Sequence, residues 1–357
     1  MPEDKQYFVE RFAADPLTAD VEQEVALSLF APGDETGVSR LYHAVYGDAY
    51  PVEDYYIPRR ILELNREQQL SSVVCKTEDG VIVAHGALYR SSPPFAGLLE
   101  VGQYLVLKSH RRRNIAEMIN TYIHGPLAES LPVEGIYAEP VTNHIVTQLF
   151  GVQAKMADYA VQLGLLPPSQ GWDGASGRMS CFLQFKTVRD RPHRVHLPER
   201  HRDILDFILA DRDFQRTFAE ASDTLPTDGR TVHQVQVFPG TGTARFQFPL
   251  LGADFPGVLE GLESEALRAG CVTLQAFLNL GQAEVGGAVE RLCAGGWFLG
   301  GYLPRWFDSD GLLMQKILER PDYAAIRLHN DKARALLERI RAEQEKTAPL
   351  QGKFVLT

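Results

Sequence analysis

Three consecutive arginines, Arg111, Arg112 and Arg113, stand where an apolar strand gives way to a helix, in the stretch LLEVGQYLVLKSHRRRNIAEMINTYIHGPLAE. Residues 100–107 are rich in aliphatic and β-branched side chains, and helical spacing begins at once, at about Asn114. A strand that feeds straight into a helix leaves the first helical N–H groups without intrahelical acceptors. They face the turn, and the positive end of the helix dipole adds to them. The chemistry available there is anion binding, and a phosphate or pyrophosphate suits it. In a chain of formal net charge -10, three arginines at a helix start exceed ordinary surface composition, although a solvated charge run is the plain alternative. On the same strand Tyr104 has two readings, orienting a substrate or giving up a proton on one side and packing on the other.

These residues need elements to hold them. VALSLF, residues 25–30, reads as a first strand. After Pro32-Gly33-Asp34, Val38, Leu41, Tyr42, Val45 and Tyr46 fall at helical spacing, and a second helix is expected over 58–69. SSVVCKT and VIVAHGALY flank Glu78-Asp79-Gly80, a hairpin signal. The arginine strand and its helix come next, then VEGIYAEPV as a strand, a helix from about Thr142 and a strand over 157–165. A glycine-rich break (QGWDGASG, 170–177) precedes SCFLQFKTV, an edge or return strand, and the basic, Pro-containing segment 189–202 reads as a connector. Beyond it the pattern gives a helix over 201–220, strands over 231–238 and 244–251, and a helix over 255–269. A strand over 272–280, a helix over 283–294 and strands over 297–303 and 312–316 follow, with a charged amphipathic helix over 322–346.

The bulk numbers narrow the class. A length of 357 residues implies two domains, and 45% hydrophobic with 23% charged residues describes a soluble globular chain. No apolar run of membrane-spanning length occurs, and the polar, acidic start MPEDKQYFVERF lacks a secretory pattern. The scattered Cys75, Cys181, Cys271 and Cys293 show no metal spacing, so free thiols, no metal and a cytoplasmic setting are expected. A pI near 5.5 argues against nucleic acid as a partner. Gly240-Thr241-Gly242 reads as a hairpin turn and Asp308-Ser309-Asp310-Gly311 as a turn lacking the rest of a calcium loop. His193, His196 and His201 have no acidic or cysteine ligand beside them to complete a metal set.

The arginine stretch resembles the central motif of the GCN5-related N-acetyltransferases, the GNAT superfamily, in which a strand leads into Arg/Gln-x-x-Gly-x-Gly/Ala. Here the run is Arg111-Arg112-Arg113-Asn114-Ile115-Ala116, with Asn114 where the middle glycine is expected. The resemblance implies that this turn holds the pyrophosphate of acetyl-CoA and that Leu105, Val106 and Leu107 offer backbone groups to the pantetheine arm. It also implies that Glu100, eleven residues before Arg111, occupies the register of a strand glutamate acting as general base. An ammonium must lose a proton before its nitrogen attacks a thioester. His85 and His110 are further candidates for that role. Downstream, Asn143 matches the asparagine that opens the helix after the fifth strand, with Leu149 and Phe150 at the Leu-Tyr offsets. Phe150 replaces the tyrosine that often protonates the departing thiolate, and a phenyl ring has no proton to give.

The element order over roughly 25–168 follows the family order, and CVTLQAFLNLGQAEVGGAVERLCAGGWFLGGYLPRWFDSDGLLMQKI resembles the tail of a second such fold without a phosphate loop. The expected class is α+β, mixed α/β, with two GNAT-like domains, each a mixed and mostly antiparallel sheet flanked by helices. The expected divisions are an arm over 1–20, a GNAT acyl-CoA-binding domain over 21–188, a connector over 189–200, a degenerate GNAT-like domain over 201–320 and a helix and tail over 321–357. The function implied is transfer of an acyl group, acetyl first, from acetyl-CoA as co-substrate to a small-molecule or peptide amine. Neither a nucleic acid nor a membrane is an expected partner, and a homodimer is compatible. The competing readings are a non-catalytic CoA-binding or regulatory module and a protein-contact scaffold.

Overall fold

In the first part of the chain an edge strand, a hairpin and the arginine strand lie side by side. The computed structural model describes residues 4–50, 52–168 and 177–347, so most of the glycine-rich break and the end of the C-terminal tail lie outside the described residues. It divides into one unit of Met1–Ser92 with Leu99–Ile136 and another of Pro93–Leu98 with Tyr137–Thr357. The sequence-based connector at 189–200 falls inside the second unit. Both units have the expected make-up, mostly antiparallel strands with flanking helices.

The first unit contains helix α1 (Lys5–Ala14), strand β1 (Val25–Leu29), helices α2 (Glu35–Tyr46) and α3 (Pro58–Arg66), and strands β2 (Leu70–Thr77), β3 (Ile82–Tyr89) and β4 (Leu98–Val106). Helices α4 (Ile115–Tyr122) and α5 (Ala128–Ser130) follow, joined by a π turn at Ile123–Leu127. Strand β5 (Gly135–Ala138) spans the boundary. The strands run in the order β1-β2-β3-β4, each antiparallel to the next. Each boundary has a local cause. The side chain of Asp4 accepts from the N–H of Tyr7 and starts α1. α2 buries Val38, Leu41 and Tyr42, one helical face, and stops at Gly47 with φ 62. Pro58 opens α3, which ends at Arg66 and not near residue 69, because Gln68 takes a left-handed φ of 55. The π turn contains Pro126, whose missing N–H helps explain why the regular ladder widens there.

The second unit holds α6 (Val146–Gln153), β6 (Ala157–Leu166), β7 (Met179–Thr187), β8 (His193–Leu197), α7 (Arg202–Leu209) and β9 (Arg216–Glu220). It continues with β10 (Val232–Phe238), β11 (Thr243–Leu250), α8 (Phe255–Arg268), β12 (Thr273–Asn279), α9 (Val285–Ala294), β13 (Phe298–Leu303), β14 (Gly311–Ile317) and α10 (Asp331–Thr347). Its main strands run β7-β6-β13-β14-β12-β11-β10, with β11 and β12 parallel and the other neighbours antiparallel, and β8 and β9 form a separate parallel pair. Trp297, Trp306, Phe246, Phe248 and Phe277 are fully buried at its centre, and the Trp306 and Phe277 rings stack at 4.7 Å.

Four expectations change here. The helix over 201–220 is only α7. Asp211 turns left-handed at φ 62, and the chain re-enters as β9, where the fully buried Arg216 side chain pairs with Asp310 at 2.6 Å. A buried ion pair is one way to place an arginine inside a strand layer, and spacing in the sequence gives no sign of it. The connector itself contains β8. The helix expected from Thr142 starts at Val146, because the Thr142 N–H and hydroxyl are held by the Ser180 carbonyl at 3.0 and 2.9 Å. The helix expected from 322 starts at Asp331, since the Asp322 side chain caps a short turn at Tyr323–Ala325.

β13 and β6 share one register pair, Gly301 with Ala160. The buried Gln315 amide reinforces it, accepting from Leu163 N–H at 3.0 Å and donating to Val161 O at 2.9 Å. Gly301 has φ 144, and a Cβ there would lie 2.4 Å from the Tyr159 carbonyl oxygen. Gly301→Ala should therefore destabilise this unit by about 3 kcal/mol. Thermal unfolding reads the effect, and a melting temperature within a degree of wild type would contradict it.

Candidate functional site

The turn after β4 has the backbone of an anion cradle. Lys108–His110 makes one 3-10 turn, and Arg112 (φ 64) and Asn114 (φ 57, ψ 13) are both left-handed. Asn114 therefore keeps the backbone conformation for which glycine is the usual residue, at the position just before α4. Among the described residues, no protein group accepts from the N–H of Arg112, Arg113, Asn114, Ile115 or Ala116. Left-handed Asn114 followed by the right-handed first turn of α4 brings successive N–H groups toward one point, and the helix dipole acts in the same direction. The three arginines and Asn114 are exposed. Their side chains differ in employment. Arg113 donates to the Val21 and Gln23 carbonyls at 2.9 and 3.3 Å and so ties the turn to the segment before β1. Arg111 donates to the Val106 carbonyl at 3.4 Å.

Upstream, β4 is bulged. His85 pairs with Leu105 and Ala87 with Gly102, so Gln103 and Tyr104 together face the single residue Gly86. Gln103 takes φ 59. A Cβ on Gly86 would lie 2.5 Å from Ile119 Cγ2, so glycine lets α4 close over this point. The bulge breaks the alternation of side chains. Tyr104 turns under α4 and donates to Asn120 Oδ1 at 2.8 Å, whereas Gln103 meets the tyrosines of α2 and the loop after it. Of the three residues expected to serve a pantetheine arm, Leu107 gives its N–H to Val83 O at 2.8 Å. By strand parity Leu105 faces β3 in the same way, which leaves Val106 with backbone groups on the other edge.

A cavity of about 270 Å³ opens beside the bulge, lined by Gln103, Tyr55, Tyr89, Asp54 and Arg90 together with Val52, Leu64, Gln69 and Leu70. Tyr89 donates to Glu100, its cross-strand partner, which holds that carboxylate on the cavity side of β4. Behind the wall, Tyr42 stacks on Tyr55 at 4.6 Å and meets Tyr50 edge-on at 5.0 Å. Burial pushes the phenols of Tyr42, Tyr50 and Tyr55 well up, so all three stay neutral donors. Gln103 and this tyrosine set were not singled out from the sequence. The available signals were an amide inside the apolar run EVGQYLV and five tyrosines within residues 42–56.

The other expected residues fall as follows. Tyr104 is committed to Asn120, and burial raises its pKa, which fits packing and positioning better than proton donation. His110 is buried, with Nδ1 3.0 Å from Ser109 Oγ. Asn143 and Phe150 belong to the second unit, where Asn143 Oδ1 is buried with no hydrogen-bond partner among the described residues and Phe150 sits in α6. Among the described residues no group of three His, Cys, Asp or Glu could hold a metal ion, and no helix is long and apolar enough to cross a membrane.

His85 is the brace of the bulge and is unsuited to act as a base. Its Nδ1–H donates to the Gln103 carbonyl at 3.1 Å and its Nε2 accepts from Ser72 Oγ at 3.0 Å. Burial lowers its pKa from 6.5 to about 4, against the opposing pull of the Gln103 carbonyl. Between these values the unfolded chain binds the proton and the folded chain does not, so stability falls as pH falls through this window. By pH 5 the loss should reach about 2 kcal/mol. The drop in melting temperature from pH 7 to pH 5 should shrink in His85→Gln, and an equal drop in both proteins would refute this.

No family model matches the chain, and no curated protein matches it. Among solved structures it is similar to the ribosomal-protein-S18-alanine N-acetyltransferase from Escherichia coli, at 9% identity over 49% of this chain and 100% of that one, with a TM-score of 0.37. It is similar to yncA from Salmonella typhimurium, solved with its cofactor acetyl-CoA, at 12% identity over 48% and 97% with a TM-score of 0.38. A third is the spermidine/spermine N-acetyltransferase SpeG from Vibrio cholerae, at 10% identity over 47% and 95% with a TM-score of 0.36.

Proposed function

We propose that this protein is an acyl-CoA-dependent N-acyltransferase of the GNAT type, moving acetyl from acetyl-CoA to an amine by direct attack in a ternary complex. The observation that carries the reading is the run of five backbone N–H groups, Arg112 to Ala116, with no protein acceptor. Left-handed Arg112 and Asn114 shape that run, and it lies at the start of α4. A pyrophosphate supplies the acceptors those groups lack. Arg111 and Arg112 add charge from exposed positions.

In this reading the acceptor amine lies in the tyrosine-walled cavity. Glu100, or a water it holds, removes the ammonium proton. The free nitrogen lone pair forms the new N–C bond, the thioester C–S bond breaks with CoA leaving on the sulfur electrons, and the nitrogen gives its surplus proton to water to become a neutral amide. The Val106 N–H, on the edge of β4 not used by β3, is placed to stabilise the developing oxyanion. No proton donor for the leaving thiolate is assigned, since Phe150 has none to give. That residue also favours a second reading, a CoA-binding module without turnover.

The chain beyond β7 fits a degenerate duplicate. Its strands β12, β14 and β13 repeat the order of β5, β7 and β6, with the last strand of each trio in sequence standing between the other two. We place the acyl-CoA site in the first copy because β11 leads to α8 without an arginine turn.

Calorimetric titration with acetyl-CoA and with CoA tests the reading. Binding in the micromolar range is expected, and none at millimolar ligand would end it. The double variant Arg111→Ala/Arg112→Ala should bind about tenfold more weakly with an unchanged melting temperature. Arg113→Ala should instead lower the melting temperature, and Asn114→Gly should bind as well as wild type. Equal affinity in the double variant would remove the phosphate cradle. Glu100→Gln should lower kcat for amine acetylation at least tenfold and spare acetyl-CoA affinity, and full turnover would reject Glu100 as the base.

A further inference from the structure

We propose that the acceptor carries an oxygen, a carbonyl or a carboxylate, next to its amine, and that Gln103 is the residue that reads it. An amino acid, an amino-acid amide or a peptide N-terminus has that chemistry, and a plain alkylamine or polyamine does not. The amine half of this statement rests on the acyltransfer reading above. The oxygen half rests on the cavity itself.

The amide of Gln103 is held from one side only. Its Oε1 accepts from Tyr42 OH at 2.7 Å and from Tyr50 OH at 2.6 Å, which fills both lone-pair directions of that oxygen. Nε2, with two N–H donors, then has no acceptor among the described residues, and the side chain lines the cavity. The backbone oxygen of the same residue is taken by His85, so the bulge cannot relax to hide the amide. A donor oriented this firmly and left without a partner suits recognition of an acceptor atom.

Charge placement supports the same chemistry. Of the two carboxylates near the cavity, Asp54 is held by Arg60 through two contacts of 3.2 Å. Glu100 accepts from neutral Tyr89 and is the group the acyltransfer reading assigns to the ammonium. The other pole is formed by Gln103 Nε2, with the Arg90 side chain among the lining residues. At about 270 Å³ the space is near the lower end for ligand pockets, which suits a ligand of amino-acid size. An alkylamine of equal size would strip water from Nε2 and return no hydrogen bond, an unfavourable exchange.

The test uses matched amine pairs, an amino-acid amide and the alkylamine of the same carbon skeleton, on the intact protein with acetyl-CoA. Transfer is read as kcat/KM and binding of each amine by ligand-observed NMR. Wild type should favour the amide about tenfold, with the difference mainly in KM. Gln103→Glu keeps oxygens for Tyr42 and Tyr50 but has no N–H to give, and it should abolish or reverse that preference. Tyr50→Phe, which loosens the amide without removing it, should reduce the preference partway. Equal use of both amines by wild type, or a full preference in Gln103→Glu with an unchanged melting temperature, overturns the proposal. If acetyl-CoA does not bind and nothing is transferred, the acyltransfer reading fails by itself. NMR then decides the oxygen contact alone, where tighter binding of the amide supports it and equal or absent binding of both overturns it.

Discussion

The first unit depends on a single hydrogen bond, from the buried Nδ1–H of His85 to the carbonyl of Gln103. A bulge leaves one peptide group out of the ladder, and a buried carbonyl without a partner destabilises the fold by about 1–3 kcal/mol. His85 supplies that partner and is kept neutral by burial, with Ser72 on its other nitrogen. With the bulge braced, Gln103 and Tyr104 sit on opposite sides of β4. One meets the tyrosine wall and the other meets Asn120 on α4. Without the extra residue, strand alternation would still send them to opposite faces but would reverse every position from Tyr104 onward relative to the arginine turn.

The turn itself shows how a chain of net charge -10 can hold a backbone shaped to attract an anion. Most of the attraction is local and comes from backbone. Five N–H groups and the end of a helix need no favourable net charge, only a backbone held in the right shape. Holding it falls partly to Arg113, whose guanidinium binds two carbonyls before β1. The triple arginine is thus a divided set, with one member structural and two facing solvent. Asn114 completes the shape. An asparagine in the left-handed region is strained by less than most residues, so the departure from glycine leaves the backbone conformation intact.

What could be read from the sequence follows from the range of the forces involved. Hairpin 78–80, the start of α2 and the strand-to-helix turn are local signals, and the structure has them within a residue or two. The arginine turn was legible for the same reason. The failures are non-local. The true start of α6 depends on Ser180 holding Thr142, nearly forty residues away, and β9 exists where a helix was expected because Arg216 finds Asp310 far along the chain. Gln103 was passed over because an amide in a strand is unremarkable until Tyr42 and Tyr50 are seen to saturate its oxygen.

The second unit buries charge outright. Asp310 is fully buried, yet Arg216, Tyr302, His193 and the Arg305 N–H surround it, and its pKa is lowered to about 2 in spite of burial. Arg216 is shared with Asp190 and lies 4.8 Å over the Phe214 ring. Arg216, Tyr302 and the Arg305 N–H all direct hydrogen bonds to the Asp310 carboxylate. The contrast with Gln103 is instructive. Both are polar groups beside aromatic rings, but the protein surrounds the Asp310 carboxylate, whereas at Gln103 it engages the oxygen end of the amide.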